Sequence, residues 1–237
     1  MNIAVIPARG GSKRLPLKNL KFFEGKPLIA WSIEAAIASK CFDRVIVSTD
    51  HEGIADAAVE FGAEVPFRRP LSLSGDDIPT VPVVAHALEA ALGGAAVDYV
   101  CCIYATAPFI QHGDLRSGLE LLEKGSFDYV VPVTTYAYPI QRAMYLNENG
   151  RLQMIDAENV TVRSQDLLEA YHDVGQFYWG RHEAWIRQRP ILSSSSVPLI
   201  IPRHRVQDID TLEDFECAEF LFRALKKSEL KNEINYG

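Results

Sequence analysis

A cationic, glycine-containing loop follows the first apolar stretch of the chain. Residues 3–7 are apolar, and Gly10 and Gly11 are adjacent within the loop formed by residues 9–19. Glycines allow the backbone to turn tightly, so that successive amide N–H groups can point at phosphate oxygens. The loop places four cations within ten residues of an otherwise acidic chain: Arg9, Lys13, Arg14 and Lys18. This pattern predicts a site for phosphate groups such as those of a nucleoside triphosphate.

The loop differs from the common phosphate-binding motifs. It lacks the GxxxxGK[ST] pattern of P-loop enzymes and the GxGxxG pattern of dinucleotide-binding proteins, which argues against kinase, ATPase and dehydrogenase functions. The alternative to a binding site is an ordinary solvated loop. The combination of glycines, cations, Ser12 and Asn19 directly after an apolar strand favours the binding site.

A pair of carboxylates lies near the other end of the chain. Asp208 and Asp210 are two residues apart on a segment that the sequence predicts to be extended, so both side chains should point to the same side. Carboxylate oxygens are hard ligands suited to Mg²⁺, which takes one or two of them from the protein. The alternative is that Asp210 caps a helix beginning near residue 211, and spacing alone does not decide between the two roles.

Other polar residues follow the ends of predicted strands. Asp50 comes directly after a strand at residues 44–48, where it could contact a ribose or base or cap the next helix, and the cap is slightly favoured. Tyr104 and Thr106 lie at the end of an apolar strand at residues 99–104. In an open parallel sheet, ligands bind outside the carboxyl ends of the strands, so these two side chains should face the pocket.

The hydrophobic pattern alternates between short strand-like and longer helix-like segments. Near-continuous apolar strands alternating with helices predict an α/β fold with a doubly wound, mostly parallel sheet. The predicted strands are residues 3–7, 44–48, 65–67, 99–104, 129–133 and 198–202. The predicted helices begin at residues 28, 51, 83, 114 and 211 and end near residues 37, 61, 92, 124 and 226.

The βα rhythm breaks between residues 134 and 180, which we interpret as an insertion within a single domain of residues 1–237. Exposed apolar patches often mark interfaces, so this segment predicts a dimerisation arm. Its aromatic residues, predicted to be exposed, are Tyr136, Tyr138, Tyr145, Tyr171, Phe177, Tyr178 and Trp179.

Composition narrows the class of protein. The 237 residues are 48% hydrophobic and 23% charged, which excludes a disordered, collagen-like or coiled-coil chain. The formal net charge of −7 predicts no nucleic-acid partner and no attachment to anionic lipid, because the overall field repels both. The N-terminal residues show no basic leader before an apolar core, which predicts a cytoplasmic protein. No cysteine or histidine spacing indicates zinc, and Cys101 and Cys102 are expected to be buried thiols.

Three blocks of the sequence resemble one enzyme family. Residues 8–19 are similar to the signature of the sugar-acid cytidylyltransferases, which activate nonulosonic acids and ketodeoxyoctonate as CMP esters. Residues 45–50 and 206–211 resemble two further blocks of that family, and the likeness extends from residue 3 to about residue 225. Within the family, residues 162–166 and 170–180 look most like the pseudaminic acid branch. The sialic acid branch usually has glutamine where Tyr104 stands, and an Arg-Pro-Asn-Gly type of stretch at residues 172–175.

The resemblance implies a fold and a reaction. The fold would be a three-layer sheet like that of the nucleotide-diphospho-sugar transferases. The reaction would be Mg²⁺-dependent transfer of CMP from CTP to a nonulosonic acid, most closely pseudaminic acid, with release of pyrophosphate. Legionaminic, N-acylneuraminic and ketodeoxyoctonic acids are alternative substrates, and a non-catalytic nucleotide-binding regulatory module is the alternative function. The family also implies a homodimer whose arm reaches the partner's active site.

The resemblance assigns roles to individual residues. Asp208 and Asp210 would bind the metal and act in catalysis together with Lys18 and Arg9. The nucleotide would contact Ala8, Arg9, Gly10, Gly11, Ser12, Lys13, Lys18, Asn19, Arg69 and Thr80. The sugar would contact Tyr104, Thr106, Gln141, Arg142, Arg163, Gln165, Tyr171 and His172. An arginine fork suits a sugar carboxylate, although simple surface solvation is the alternative for each residue of the arm.

Overall fold

A computed structural model describes the backbone of residues 1–236 and the side chains of residues 1–228. The helices are α1 (Leu28–Ser39), α2 (Glu52–Glu60), α3 (Thr80–Leu92), α4 (His112–Lys124), α5 (His182–Ile186) and α6 (Leu212–Tyr236). The strands are β1 (Asn2–Pro7), β2 (Phe22–Phe23), β3 (Lys26–Pro27), β4 (Arg44–Ser48), β5 (Tyr99–Ile103), β6 (Tyr129–Thr135), β7 (Met144–Leu146), β8 (Leu152–Met154), β9 (Tyr171–Asp173), β10 (Phe177–Arg181) and β11 (Ser196–Ile200).

One sheet of seven strands organises the described part of the chain. Its order is β11-β6-β10-β5-β1-β4, and β9 pairs with the far end of β6. The strands β4, β1 and β5 run parallel to one another, as do β6 and β11. β10 lies antiparallel between β5 and β6. The predicted doubly wound, mostly parallel sheet is therefore confirmed, with β10 as an antiparallel strand that the sequence did not indicate.

Both faces of the sheet are buried along β1, β4, β5, β6 and β10, which is why these strands consist of almost uninterrupted apolar residues. Alternate residues of β1 point to opposite faces. Ala4 and Ile6 pack in a cluster with residues of α1, α2 and α4. Ile3 and Val5 pack in a second cluster with residues of α3 and α5. Two helical layers therefore enclose the sheet, as the three-layer prediction requires.

A third apolar cluster joins α6 to the short hairpin formed by β2 and β3. Phe23 of the hairpin is fully buried, and its ring centroid lies 5.5 Å from that of Phe215 and 5.2 Å from that of Phe222. Both contacts are edge-to-face, a favoured geometry for aromatic pairs. The cluster fixes the start of α6, and with it the preceding residues 208–210, against the loop that follows β1.

The irregular segment is shorter than the predicted insertion at residues 134–180. Phe177, Tyr178 and Trp179 belong to β10 and are buried in the core, so the prediction that they are exposed is wrong. A strand covered on both faces carries large apolar residues at consecutive positions, and this pattern resembles an aromatic surface cluster in sequence. The prediction of exposure is confirmed for the other four aromatic residues, Tyr136, Tyr138, Tyr145 and Tyr171. We use the term arm below for residues 136–170, which include the hairpin of β7 and β8.

Several element boundaries also differ from the predictions. The expected strand at residues 65–67 is reduced to a single bridge between Glu64 and Ile46, because Pro66 has no N–H group to continue the pairing. α3 begins at Thr80 and includes Pro82 in its first turn, where proline is tolerated. The last strand is residues 196–200 rather than 198–202. α6 extends to residue 236, ten residues past its predicted end.

A further expectation concerns the two adjacent cysteines. Cys101 and Cys102 are both fully buried on opposite faces of β5, and burial raises the pKa of each thiol. They are structural, as predicted. Among the described helices, none is both long enough and apolar enough to cross a membrane.

Gly180 allows a close approach at the centre of the sheet. A Cβ atom at this position would lie 2.5 Å from Nε1 of Trp185 and 2.6 Å from the ring of Tyr129. We expect Gly180→Ala to lower the free energy of unfolding by about 1–3 kcal/mol, because overpacking forces neighbouring rings out of place. Urea denaturation measures the change. Gly113→Ala is the control, since a Cβ there has nothing within 4 Å, and an equal effect of the two substitutions would contradict the packing argument.

Candidate active site

Two adjoining clefts open where β1 and β5 end, with volumes of about 500 Å³ and 600 Å³. Lys18, Tyr104, Thr106 and Asp210 line both of them. The first cleft is also lined by Pro7, Arg9, Ser12, Lys13, Arg14, Asn19, Arg69, Leu73, Gly75, Asp76, Ile78, Thr80, Val83 and Ala105. The second cleft is also lined by His172, Asp173, Val174, Gly175, Tyr178, Val206, Gln207 and Asp208.

The loop after β1 forms one wall of the first cleft. The amide of Asn19 donates a 2.9 Å hydrogen bond to the backbone oxygen of Arg9, so the loop is closed on itself and both residues face the cleft. Lys18 lies in a 3-10 turn of residues 18–20 and is largely buried. The structure therefore brings Arg9, Ser12, Lys13, Lys18 and Asn19 together in the cleft.

Three residues of the same loop lie outside the cleft lining. Ala8 is buried in the core, and its N–H group donates to the backbone oxygen of Ser48. The N–H group of Gly10 donates a 2.9 Å hydrogen bond to Asp50, so the expectation that it points at a ligand is wrong. Gly11 is exposed beside the cleft. The need for glycine at position 10 is steric, because a Cβ there would lie 2.8 Å from the ring of His51.

Asp50 has a different role from the one favoured by the sequence. His51 is the N-cap residue of α2, so the prediction that Asp50 caps this helix is wrong. The Asp50 carboxylate instead accepts the Gly10 N–H group and thereby ties the loop after β1 to the end of β4. Asp50 lies two positions before the first residue of α2. A short polar residue at this position cannot be distinguished in sequence from one at the N-cap.

Arg69 is a buried cation at the wall of the first cleft. Its side chain is 4% exposed, and its guanidinium donates a 3.0 Å hydrogen bond to the backbone oxygen of Ser48. Desolvation lowers the pKa of Arg69, whereas the nearby Asp50 carboxylate raises it. Within the described part of the chain, Nε of Arg69 is buried without a hydrogen-bond partner. The cleft therefore has a fixed positive group at its inner wall.

Carboxylates already neutralise the cations of this loop. Asp76 forms ion pairs with both Arg9 and Lys13, and the hydrogen bonds from Lys13 and Arg9 lower the pKa of Asp76. Arg14 lies 2.6 Å from one carboxylate oxygen of Asp210. Sequence reasoning missed Asp76, whose only signal is the acidic Gly75–Asp77 stretch in a long polar loop. An anionic ligand of the first cleft must compete with these internal partners.

Asp210 lies where the two clefts meet, and Asp208 lines the second of them. Asp210 lines both clefts, and one of its oxygens is 3.1 Å from Nζ of Lys18. Thr211 and Asp214 cap α6 instead of Asp210: the backbone N–H of Thr211 donates to the Asp214 carboxylate at 2.8 Å, and that of Asp214 donates to the Thr211 hydroxyl at 3.2 Å. The capping alternative for Asp210 is therefore wrong, and its carboxylate instead pairs with Lys18 and Arg14 at the clefts.

Hydroxyl groups form the wall between the two clefts. The hydroxyl oxygens of Thr80 and Tyr104 are 3.0 Å apart, and the rings of Tyr104 and Tyr178 pack edge-to-face at 5.7 Å. The hydroxyl of Tyr178 donates to the Asp173 carboxylate. Burial raises the pKa of Tyr104 and, more strongly, that of Tyr178, so both remain protonated at neutral pH. The sequence predicted Tyr104, Thr106 and His172 here but missed Asp173 and Tyr178.

The remaining residues predicted to bind a sugar belong to the arm or its edge and do not line either cleft of their own chain. The Gln141 side chain donates to the backbone oxygen of Leu168, and that of Arg142 donates to the backbone oxygen of Val162. The Tyr171 hydroxyl donates to Glu169 at 2.6 Å. The two residues of this group that are exposed on the arm are Arg163 and Gln165.

The sequence matches a family model described as cytidylyltransferase over residues 3–231. This range contains both clefts and, except for Asn2 at the start of β1, every strand of the main sheet. The chain belongs to the cytidylyltransferase family. The resemblance seen in the loop after β1, in residues 45–50 and in residues 206–211 is thereby confirmed.

Relatives within the cytidylyltransferase family share nearly the whole length of the chain. A protein named pseudaminic acid cytidylyltransferase from Campylobacter jejuni is 43% identical over 96% of this chain and 98% of the relative. A protein named CMP-N,N'-diacetyllegionaminic acid synthase from Legionella pneumophila is 42% identical over 92% of this chain and 95% of the relative. The solved structure of CMP:2-keto-3-deoxy-manno-octonic acid synthetase in complex with CTP superposes with a TM-score of 0.68 at 18% identity, covering 94% of this chain and 98% of that one, which shows a shared fold.

Electrostatics distinguish the two carboxylates of this cytidylyltransferase chain. Although Asp208 is exposed at the mouth of the second cleft, desolvation by the surrounding protein raises its pKa. The neighbouring Asp210 carboxylate adds to the increase, and the Lys18 ammonium opposes it. Among the described residues, no group of three or more His, Cys, Asp or Glu side chains could enclose a metal ion. Two carboxylates at a cleft suit a cation that takes its other ligands from phosphates and water, as Mg²⁺ does.

The raised pKa of Asp208 has a consequence for stability. The folded protein binds this proton more tightly than the unfolded chain does, so stability falls as pH rises from the ordinary value of 3.8 through the raised one. We expect Asp208→Asn to increase the melting temperature at pH 7 in metal-free buffer, and the gain to shrink as pH approaches 4. Thermal melts across this range, with the exposed Asp77→Asn as control, measure the effect. A loss of stability at pH 7 would show that the charge of Asp208 is favourable.

Proposed function

We propose that this chain transfers CMP from CTP to a nonulosonic acid, most closely pseudaminic acid, and releases pyrophosphate. The observation that carries the proposal is that Lys18 and Asp210 stand at the junction of two clefts, one cationic and one lined by carboxylates and hydroxyls. A nucleotide in the first cleft and an acceptor in the second would meet at these two residues. The 43% identity to a pseudaminic acid cytidylyltransferase over 96% of the chain supports the choice of substrate.

The first cleft is the proposed nucleotide site. Arg9, Lys13 and Lys18 would bind the phosphate oxygens, while Arg69 and Thr80 line the inner part of the cleft toward the base and ribose. Triphosphate oxygens would replace Asp76 as the partner of Arg9 and Lys13. Of these cations, the buried Arg69 would attract the anionic nucleotide most strongly, because a charge in a desolvated environment is screened least.

The second cleft is the proposed acceptor site. The anomeric hydroxyl of the sugar acid attacks the α-phosphorus, a new O–P bond forms, the bond to the β-phosphate oxygen breaks, and pyrophosphate leaves with the electron pair. Mg²⁺ bound by Asp208 and Asp210 would supply charge neutralisation at the phosphates. Lys18 holds a second positive charge at the junction, and the proton of the attacking hydroxyl passes to water or to a carboxylate of the cleft. Most of the catalysis is therefore positioning and electrostatic stabilisation.

Legionaminic acid is the second candidate acceptor, on the basis of one specific observation. The 42% identity to a CMP-N,N'-diacetyllegionaminic acid synthase over 92% of the chain is close to that of the pseudaminic acid relative. Both acceptors are nonulosonic acids, so the reaction is unchanged. Departures at Tyr104 and at residues 172–175 from the pattern of the sialic acid branch argue against an N-acylneuraminic acid acceptor, because Tyr104, His172 and Asp173 line the second cleft.

Pyrophosphate release tests the proposed reaction directly. With CTP and Mg²⁺, we expect rapid release with pseudaminic acid and at least tenfold lower kcat/KM with legionaminic, N-acylneuraminic and ketodeoxyoctonic acids, because a site that hydrogen-bonds one sugar leaves polar groups unpaired with another. A coupled phosphate assay with pyrophosphatase measures the rates. The absence of release with every sugar acid would favour the non-catalytic nucleotide-binding module.

Asp210→Asn provides the matched control for that assay. The substitution keeps the shape of the side chain and removes the charge that both clefts share. We expect kcat to fall on the order of a hundredfold or more, equivalent to roughly 3 kcal/mol of barrier. The capping of α6 by Thr211 and Asp214 remains, so folding should be preserved. Near-normal turnover in saturating Mg²⁺ would remove Asp210 from the proposed mechanism.

We also propose that the protein is a homodimer in which the arm completes the partner's acceptor site. The arm exposes many large apolar side chains, whereas a hairpin that only contacts solvent would carry mostly polar ones. Exposed apolar patches of this kind mark interfaces. They are Tyr136, Tyr138, Ile140, Met144, Tyr145, Leu146, Leu152, Ile155, Val160 and Leu168. Arg163 is the candidate for the partner's sugar carboxylate, because it is exposed on the arm and lies away from its own clefts. His172 lines its own second cleft, so we assign it to the acceptor site of its own chain rather than to that of the partner.

Mixing two inactive variants tests the shared site. An Asp210→Asn chain paired with an Arg163→Ala chain leaves one intact site in each heterodimer, because the unaltered Asp210 and Arg163 meet there. We expect verified heterodimers to recover up to half of the activity of the wild-type dimer, while each variant alone stays inactive. Light scattering establishes the oligomeric state. A monomer, or heterodimers without recovered activity, would rule out the shared site.

A further inference from the structure

The segment that carries Asp208 and Asp210 has no regular secondary structure after a 3-10 turn at Arg203–Arg205. Its C-terminal end is fixed by the cap of α6, where the Asp214 carboxylate also accepts the backbone N–H of Asp210 at 3.1 Å. Its centre is held by Lys18, whose ammonium donates to the backbone oxygen of Ile209. The contacts at the N-terminal end of this segment, near Arg205, therefore determine the position of Asp208 relative to the sheet.

An ion pair with helix α4 fixes that end. The Arg205 guanidinium donates two hydrogen bonds to the Asp114 carboxylate, at 2.6 Å and 3.1 Å, one to each oxygen. The side chains are only 13% and 16% exposed, so the pair is shielded from solvent and salt. A bidentate arginine–carboxylate pair fixes direction as well as distance. Asp114 lies in the first turn of α4, which packs on the main sheet.

Gln176 joins the same segment to the wall between the two clefts. Its side-chain amide donates a 2.7 Å hydrogen bond to the backbone oxygen of Arg205, and its own backbone oxygen accepts the N–H of Tyr104 at 2.8 Å. Gln176 is buried. The position of Arg205 is therefore tied both to α4 and to the strand end that lines the clefts.

We infer that Asp114, Arg205 and Gln176 form a clamp that positions the metal-binding carboxylates. All three are positioning residues. Arg205 precedes Asp208 by three positions and Asp210 by five, and Asp114 and Gln176 are hydrogen-bonded to Arg205. None of the three lines either cleft. A displacement of about 1 Å at a reacting group can cost a hundredfold in rate. The inference rests on the proposed function, since it assumes that Asp208 and Asp210 hold a divalent metal with the nucleotide.

Metal affinity separates this role from a purely structural one. The probe is Mn²⁺, whose binding to the wild-type protein with CTP and without sugar acid is measured by electron paramagnetic resonance. Arg205→Lys keeps the charge but loses the bidentate fork. We expect its Mn²⁺ dissociation constant to rise 10–100-fold, as for other residues that orient metal ligands. The KM for CTP should change less than kcat, because the cationic loop after β1 is untouched.

Arg189→Lys is the matched control. Arg189 forms a 2.6 Å ion pair with Asp128, which precedes β6 at the end of the sheet opposite the clefts. Its replacement should reduce the melting temperature and leave Mn²⁺ binding unchanged. Gln176→Met is the second clamp variant, in case Arg205→Lys folds poorly. The substitution removes the amide donor to the backbone oxygen of Arg205. The amide oxygen of Gln176 is buried without a hydrogen-bond partner among the described residues, so little other hydrogen bonding is lost.

The outcomes distinguish this inference from the proposed function. Weakened Mn²⁺ binding in either clamp variant, at a melting temperature no lower than that of Arg189→Lys, supports the clamp. Unchanged Mn²⁺ affinity in folded clamp variants, alongside tight binding by the wild type, overturns the clamp and leaves the proposed reaction standing. The absence of Mn²⁺ binding by the wild type overturns both.

Discussion

The ion pair between Lys18 and Asp210 is the contact on which the site depends. It joins a lysine from the loop after β1 to a carboxylate 192 residues later in the chain, and both line the two clefts. The third apolar cluster makes this contact possible, because Phe23, Phe215 and Phe222 hold the start of α6 beside that loop. An aromatic cluster outside the main sheet thus brings together the cation and the anion of the site.

Those parts of the fold that depend on local pattern could be predicted from the sequence. Strands such as β1 and β5 are short apolar runs, and the helices that flank them show clear helical spacing, so the doubly wound sheet follows from periodicity. The cationic loop and the Asp208–Asp210 pair were recognisable for the same reason. Their residue types are unusual for a solvated segment and occur at close spacing.

Contacts between distant segments could not be predicted in this way. Asp76 pairs with the cationic loop across 67 residues of sequence, and nothing near it distinguishes a site residue from an ordinary loop acid. Asp173 and Tyr178 form part of the cleft wall only because β9 and β10 return to the sheet. Asp50 was assigned to the wrong partner because a helix cap and a bond to a neighbouring loop require the same kind of side chain.

The position of β10 also affects the order in which the molecule can assemble. β5 and β6 follow one another along the chain but are separated in the sheet by β10, which pairs with both. While the chain is being synthesised, β4, β1 and β5 can pair as soon as residue 103 is available. β6 has no strand to join on that side until β9 and then β10, within residues 171–181, emerge. Completion of the sheet, and of the cleft wall that β10 carries, is therefore delayed until late in translation, and the apolar edge of β5 stays open to other chains in the meantime.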